Sequence, residues 1–288
     1  MGGLPTVVRT VEGVRAAVGQ HRAAGSTIGL VPTMGALHAG HLSLVQAAGR
    51  DNDVVVVSIF VNPLQFGPGE DLQAYPRTLQ ADLEALAAQD VQLVFHPDVA
   101  DFTPPDMVTK VHVAGLTDGL EAGTRPTHFD GVTTIVTKLF NAVGPDRAYF
   151  GSKDFQQQAV IRRMVRDLGM PLEVVTCPLV REGDGLALSS RNAYLSAAQR
   201  QDALALSATL AEVLDAWDGD VDSARGLLQD RLGAAAGVRL DYAEVIDTVS
   251  LEPLTGVHTG PAQAVVAAWV GTTRLLDTVA LPPAGAGR

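Results

Sequence analysis

Residues 27–41 read Thr27-Ile28-Gly29-Leu30-Val31-Pro32-Thr33-Met34-Gly35-Ala36-Leu37-His38-Ala39-Gly40-His41. Residues 27–31 have the length and apolar continuity of a strand buried on both faces, and Pro32 is expected to end it. Helical spacing starts near Gly40 and runs to Arg50. The stretch between is therefore a strand-to-helix turn. Gly35 and Gly40 permit a tight turn and a close approach of backbone to a ligand. A helix start presents unpaired N–H groups and a partial positive charge, which suits phosphate. His38 and His41, three residues apart at that start, can donate to the same phosphate oxygens. Taken alone, an H-x-x-H pair is more often two surface histidines. Zinc is a third reading, but no cysteine or third histidine lies nearby at ligand spacing. Placement at a strand exit favours phosphate.

Outward from this turn the same alternation continues. Residues 54–61 form a second buried run, broken by Asn62-Pro63. Residues 71–89 are amphipathic with Leu72, Leu79, Leu83 and Leu86 on one side, predicting one long helix, and residues 91–95 follow as a strand. Helices are predicted at 132–143 and 154–168, with strands at 147–150 and 172–176. Buried runs alternating with helices imply a Rossmann-like, doubly wound α/β fold with a parallel sheet covered on both faces. Ligands of such sheets bind beyond the carboxyl ends of the strands. From about Val180 the texture changes. Ser196 reads as the N-cap of an Ala/Leu-rich helix reaching about Trp217, and a second helix is predicted at 223–232. Strands at 241–246, 264–270 and 273–281 complete a smaller α+β domain, before a Pro/Ala/Gly tail expected to be frayed. The expected boundary divides 1–179 from 180–288.

The bulk properties narrow the function. The 288 residues are 47 % hydrophobic, enough for a sizeable core, yet no apolar run approaches the roughly 20 residues of a membrane span. The net charge of −11, with no polybasic block, argues against nucleic acid or an anionic membrane as the main partner. The single cysteine, Cys177, excludes an intrachain disulfide framework and reads as a buried, inert thiol. The first 22 residues show no continuous apolar leader. A cytoplasmic protein is the expectation.

Three further constellations fall at strand exits or in polar loops. Ser58-Ile59-Phe60-Val61-Asn62-Pro63-Leu64-Gln65-Phe66-Gly67 ends the second strand, and Asn62 and Gln65 there can hydrogen-bond hydroxyl, carboxylate or amine groups without adding charge. An ordinary polar strand exit is the plainer reading. Phe150-Gly151-Ser152-Lys153-Asp154-Phe155-Gln156-Gln157 follows a later strand. Lys153 can neutralise phosphate charge, Asp154 can accept from a ribose hydroxyl, and Gln157 lies one turn further on, although solvated charge explains most such motifs. Leu188-Ser189-Ser190-Arg191-Asn192 sets two hydroxyls beside a planar guanidinium fork, a compact polyphosphate clamp or a simple turn.

In this order, the motifs resemble one family, the pantothenate synthetases, from about Val31 to Asn192, with weaker echoes at Asp241-Tyr242 and Gly271-Thr272-Thr273-Arg274. Pro32 to His41 is similar to that family's form of the HIGH signature of class I aminoacyl-tRNA synthetases and related nucleotidyltransferases, and Leu188 to Arg191 to its KMSKS-like loop. Tyr75-Pro76-Arg77 and the stretch from Arg125-Pro126-Thr127-His128 through Phe129 and Gly131 also fit. Leu64 and Leu188 stand where the family commonly has Met, apolar swaps of similar volume that are tolerated. Ser152 stands where Glu is frequent.

The resemblance implies condensation of (R)-pantoate with β-alanine, using ATP and Mg2+ and releasing AMP and diphosphate through a pantoyl adenylate. It implies an ATP site of Pro32, Thr33, Met34, Gly35, Ala36, Leu37, His38, Ala39, Gly40 and His41, completed by Gly151, Ser152, Lys153, Asp154, Val180, Leu188, Ser189, Ser190 and Arg191. His41, His38, Lys153, Ser190 and Arg191 would be catalytic through the phosphates. Gln65 and Gln157, with Asn62, would hold pantoate, Gln65 also facing β-alanine, and Asp82 would be the magnesium ligand. Residues 1–179 would bind nucleotide and pantoate, and residues 180–288 would open with the Ser-Ser-Arg loop that closes over ATP. Residues 66–70, a proline flanked by glycines, are the expected lid, and a homodimer is expected. Two rivals stand beside this reading. A nucleotidyltransferase on the same fold would need cations for an acceptor phosphate, where Gln65 and Gln157 suit a neutral diol and a carboxylate. A nucleotide-sensing scaffold could dispense with Lys153 and the Ser-Ser-Arg clamp, and both are present.

Overall fold

Valine-rich runs too short and too β-branched for helices alternate here with helices that bury one face. The computed structural model describes residues 3–284; the last residues of the Pro/Ala/Gly tail lie outside that range. In chain order the elements are β1 (Thr6–Val8), α1 (Val11–Ala23), β2 (Ile28–Thr33), α2 (Ala39–Asp51), β3 (Val54–Ile59), α3 (Leu79–Ala87), β4 (Leu93–Phe95), α4 (Val99–Phe102), α5 (Glu121–Thr124), α6 (His128–Val143), β5 (Arg147–Gly151), α7 (Phe155–Asp167), β6 (Glu173–Cys177), α8 (Ala197–Ala216), α9 (Val221–Ala234), β7 (Val238–Asp247), β8 (Ala262–Val270) and β9 (Thr273–Leu281). They fall into two compact units. One takes the chain up to Gly151 together with Val160–Pro178; the other takes Ser152–Ala159 and the chain from Leu179 onward.

The first unit holds a six-stranded sheet in the order β1-β4-β3-β2-β5-β6, with every neighbouring pair parallel. Its two faces carry separate cores. Val14 and Val18 of α1, Ile135 and Leu139 of α6, and Ile161 and Met164 of α7 pack on one face. Leu44, Val45 and Ala48 of α2, with Leu83 and Leu86 of α3, pack on the other. The chain leaves β2 toward β3 through α2 on one face, and leaves β5 toward β6 through α7 on the opposite face. The gap beyond the carboxyl ends of β2 and β5 is therefore the topological switch point, where such folds seat ligands. Cys177 is buried beside α2, and burial pushes its thiol pKa up.

Two expectations change. Pro32 does not end β2 but lies inside it, paired in register with Ser58 of β3. Its missing N–H falls on the β5 side, past the last β5 partner of that strand, Leu30, so no ladder bond is lost. The long helix expected over 71–89 shrinks to α3. Pro76 disfavours helical backbone at Tyr75, and the Arg77 guanidinium instead donates to the carbonyls of Leu72, Gln73 and Tyr75 at 3.2, 3.4 and 3.2 Å. The sequence pattern did not announce β1 and α1.

In the second unit, β7, β8 and β9 form an antiparallel sheet. Leu206 and Leu210 of α8 and Leu228 and Leu232 of α9 cover it, against Ala264, Val266 and Ala268 of β8. Ser196 caps α8 as expected: its Oγ accepts from Gln199 N at 3.2 Å, while its own N–H donates to Gln199 Oε1 at 2.9 Å.

Candidate active site

The turn after β2 is held from below. Thr33 Oγ1 donates to Ser58 O at 2.7 Å and accepts from Gly35 N at 3.1 Å. Gly35 has φ +82°, and Ala36 follows at φ +51°, a left-handed conformation that costs an alanine energy. What holds it there is Asp82 of α3, which is 3 % exposed. Its Oδ2 accepts from Ala36 N at 3.1 Å and its Oδ1 from Leu37 N at 2.8 Å, while Thr78 Oγ1 reaches both oxygens at 3.2 Å. The carboxylate fills the anion-binding concavity made by those backbone amides. Asp82 therefore anchors the turn, and among the described residues no group of three or more His, Cys, Asp or Glu side chains could hold a metal ion.

Past the anchor, His38 is the N-cap position of α2. Its N–H donates to His41 Nδ1 at 3.4 Å, and the two imidazoles stack with centroids 4.0 Å apart. Because His41 Nδ1 accepts, the neutral ring carries its proton on Nε2. His41 is thus a hydrogen-bond donor at the positive end of a helix, the arrangement an oxyanion needs.

Beyond β3, Asn62 is 1 % exposed. Its Oδ1 accepts from Leu64 N at 3.1 Å, and its Nδ2 donates to Gln65 Oε1 at 3.0 Å and to Gly131 O at 3.1 Å. The polar atoms of Asn62 are thus buried and bonded within the chain, where they hold the Gln65 side chain. Gln65 is half-buried, and its Nε2 donates to Met34 Sδ at 3.3 Å. A thioether is a weak acceptor, so this amide N–H can be taken up by a better one. Met34, Asn62 and Gln65 are thus brought together.

Residues 66–70, the expected lid, are tied down within the first unit. Phe66 meets Tyr75 edge-on, and Arg125 grips Glu70 through two bonds of 2.8 and 2.6 Å. The Glu70 carboxyl lies below its ordinary pKa: burial, the largest single effect, raises it, but the Arg125 guanidinium and its neighbours together outweigh that.

In the second unit, Ser152, Lys153 and Asp154 form a single 3-10 turn, with Lys153 Nζ 3.4 Å from Asp154 Oδ1; Gln157 lies half-buried in the first turn of α7. Val180 O accepts from Leu188 N at 3.0 Å, closing a hairpin that carries the Ser-Ser-Arg turn. Ser189 caps that turn, accepting from Arg191 N at 3.3 Å. Asn192 donates to Glu182 Oε1 at 2.8 Å and Ala187 O at 3.0 Å, and Arg200 holds the other oxygen of Glu182 at 2.7 Å. The Lys153 turn and the Ser190 turn both pack against β9.

Known proteins resemble this one over nearly the whole chain. The profile of the Pantoate-beta-alanine ligase family matches residues 6–280. The chain belongs to the pantoate–β-alanine ligases. The pantothenate synthetase of Moorella thermoacetica is 49 % identical over 96 % of this chain and 98 % of its own length, and that of Koribacter versatilis 50 % over 98 % of each. The pantothenate synthetase structure from Thermus thermophilus superposes with a TM-score of 0.91 at 46 % identity, covering 96 % of this chain and 99 % of that one. The pantoate–β-alanine ligase of Francisella tularensis, solved with beta-gamma ATP and β-alanine, gives 0.79 at 31 % identity, covering 96 % and 97 %. The ligase fold expected from the sequence, a parallel α/β unit plus a smaller α+β unit, is the fold found.

Sequence reasoning gave no role to Thr78, Arg125, His128 or Gly131, although the last three lie in a stretch that resembled the ligases. Arg125, His128 and Gly131 meet residues 60, 63 and 69 positions away, which no local spacing reveals, whereas Thr78 lies one helical turn before Asp82 and that spacing could have shown it.

Proposed function

We propose that this ligase condenses (R)-pantoate with β-alanine in two steps, with ATP as co-substrate and Mg2+ arriving on its phosphates. The pantoate carboxylate attacks the α-phosphorus, giving pantoyl adenylate and diphosphate. The neutral amine of β-alanine then attacks the acyl carbon and expels AMP. The observation that carries the reading is the turn between β2 and α2, where Asp82 fixes Ala36 and Leu37 and the His38 N–H bonds to His41 Nδ1, setting both histidines at the start of α2.

Each residue has a role of its own within that reading. His41 and His38 stabilise charge on the phosphates, as do Lys153, Ser190 and Arg191; positioning and charge neutralisation dominate such transfers. Pro32 through Gly40, Gly151, Ser152, Asp154, Val180, Leu188 and Ser189 shape the ATP site, several through the turn geometry they impose. Gln65 and Gln157 hold pantoate, and Gln65 also faces β-alanine. No resident metal site is assigned: Asp82 is committed to the turn, so Mg2+ belongs to the nucleotide substrate. Among the described residues no helix is long and apolar enough to cross a membrane. By family resemblance we infer a homodimer acting in the cytoplasm.

The test is direct. Purified protein with ATP, Mg2+, pantoate and β-alanine is expected to form AMP and pantothenate in equal amounts. Formation of ADP, or AMP release independent of pantoate, would overturn the reading.

A further inference from the structure

Gln65 sits on a clamp made by residues that have no place in the two chemical steps. Its carbonyl oxygen accepts from Arg125 Nη2 at 3.1 Å and lies 3.0 Å from His128 Nδ1. Arg125 also pairs with Glu70, as described, and its Nη1 lies 3.4 Å from His128 Nε2. An arginine can only donate, so His128 Nε2 is the acceptor and His128 Nδ1–H donates to the Gln65 carbonyl. The His128 ring is thereby required to be neutral. On the other side of the same turn, a Cβ on Gly131 would lie 2.2 Å from Leu64 O and 2.5 Å from Gln65 N, so the turn rests directly on α6. Asn62 then fixes Gln65 Oε1. With its main chain and side-chain oxygen held, Gln65 has one direction left for its amide N–H.

We propose that Arg125 and His128 are positioning residues for the acid substrate, fixing the Gln65 amide so that its Nε2–H meets an oxygen of that substrate. The proposal rests on the assignment of Gln65 to pantoate. It adds that the selectivity of Gln65 for the acid is set from α6 by the clamp on its carbonyl. Burial and the Arg125 charge keep His128 neutral, its pKa lowered to about 4, so the clamp stays in one protonation state through neutral pH.

A double-variant cycle tests it. His128→Ala is expected to raise the pantoate KM roughly 5- to 50-fold, with the ATP KM within about twofold of the unaltered enzyme. His128→Asn, whose amide N–H can stand where Nδ1–H stood, is expected to restore the pantoate KM to within about threefold, whereas His128→Gln, whose amide reaches the Nε2 position, is not. In a Gln65→Ala background, His128→Ala is expected to add less than about twofold, because the group it positions is gone. The Asn and Gln variants decide the matter even where the alanine variant fails to fold. Equal rises in both KM values, equal behaviour of Asn and Gln, or a double variant whose loss is the product of the single losses would overturn the proposal. If Gln65→Ala itself leaves the pantoate KM unchanged, the assignment of Gln65 fails instead, and the clamp with it.

Discussion

Replacing Asp82 by alanine separates an anchor from a metal ligand. The change takes the carboxylate acceptor from two backbone N–H groups, Ala36 and Leu37, and from the Thr78 hydroxyl that reaches the same carboxylate. Each lost bond to a charged acceptor costs about 1–3 kcal/mol, toward the lower end here because Ala36 and Leu37 are not fully buried. The sum is roughly 2–4 kcal/mol. At about 2–4 °C per kcal/mol for a unit of this size, the melting temperature should fall on the order of 10 °C. Ala36, held at φ +51°, would relax toward ordinary backbone and carry the start of α2 with it. The ATP KM should therefore rise as well. Asp82→Asn should lie between, because one amide oxygen accepts from one N–H while the amide nitrogen opposes the other. Calorimetric melts give the loss of stability. Turnover against free Mg2+ at saturating ATP gives the second readout: an anchor leaves the Mg2+ midpoint within about twofold, whereas loss of a metal ligand moves it about tenfold or more. An unchanged melting temperature with a shifted Mg2+ midpoint would refute the anchor and restore the metal.

Four other outcomes follow from the same structure. His41→Ala should lower turnover roughly 10²–10⁴-fold, far more than the loss of its bond to His38 N–H and of the ring stack, about 0.5–2 kcal/mol of stability, explains; a change in turnover under about threefold would remove it from the phosphates. Gly131→Ala should destabilise by about 1–3 kcal/mol and raise the pantoate KM, because its Cβ would overlap the backbone of residues 64 and 65; thermal melts and initial rates check both. Lys153→Ala should slow adenylate formation more than attack by β-alanine, which single-turnover reactions begun from synthetic pantoyl adenylate can separate. Stability should also depend on pH through His128, which faces Arg125, Glu121 and Glu70 and has its pKa lowered from 6.5 to about 4. Between those values the unfolded chain binds the proton and the folded chain does not, so this contribution is complete above pH 6.5 and is lost as pH falls toward 4. The loss amounts to about 3 kcal/mol, and the difference in unfolding free energy between the unaltered protein and His128→Asn should shrink over that window.

Much of the fold was legible because buried parallel strands announce themselves as uninterrupted runs such as Val54-Val55-Val56-Val57 and Ala148-Tyr149-Phe150. The strand exits were equally visible, since glycine, proline and polar residues crowd where the apolar runs stop. Local chemistry misled where a distant partner decided the outcome. The apolar spacing of 71–89 favoured one helix, but Pro76 and the Arg77 guanidinium hold residues 72–77 in turns. Asp82 on α3 resembled a metal ligand, yet its partners are 45 and 46 residues earlier. Asn62 looked like a substrate contact because of its type and position, and only the fold reveals that its side chain also bonds to Gln65 and Gly131. Arg125, His128 and Gly131 were beyond reach for the same reason: their meaning lies in the backbone of residues 64 and 65, which folding alone brings to them.

Exchange of labelled pyrophosphate into ATP tests the two-step mechanism most directly. With pantoate and Mg2+ present and β-alanine absent, the enzyme should incorporate label, because adenylate formation and its reversal need no amine. Without pantoate it should incorporate none, since the carboxylate is the attacking group. Rapid quench and mass spectrometry of the same mixture should trap pantoyl adenylate even if diphosphate leaves slowly. Enzyme that makes pantothenate yet gives neither exchange nor a trapped adenylate would contradict the account.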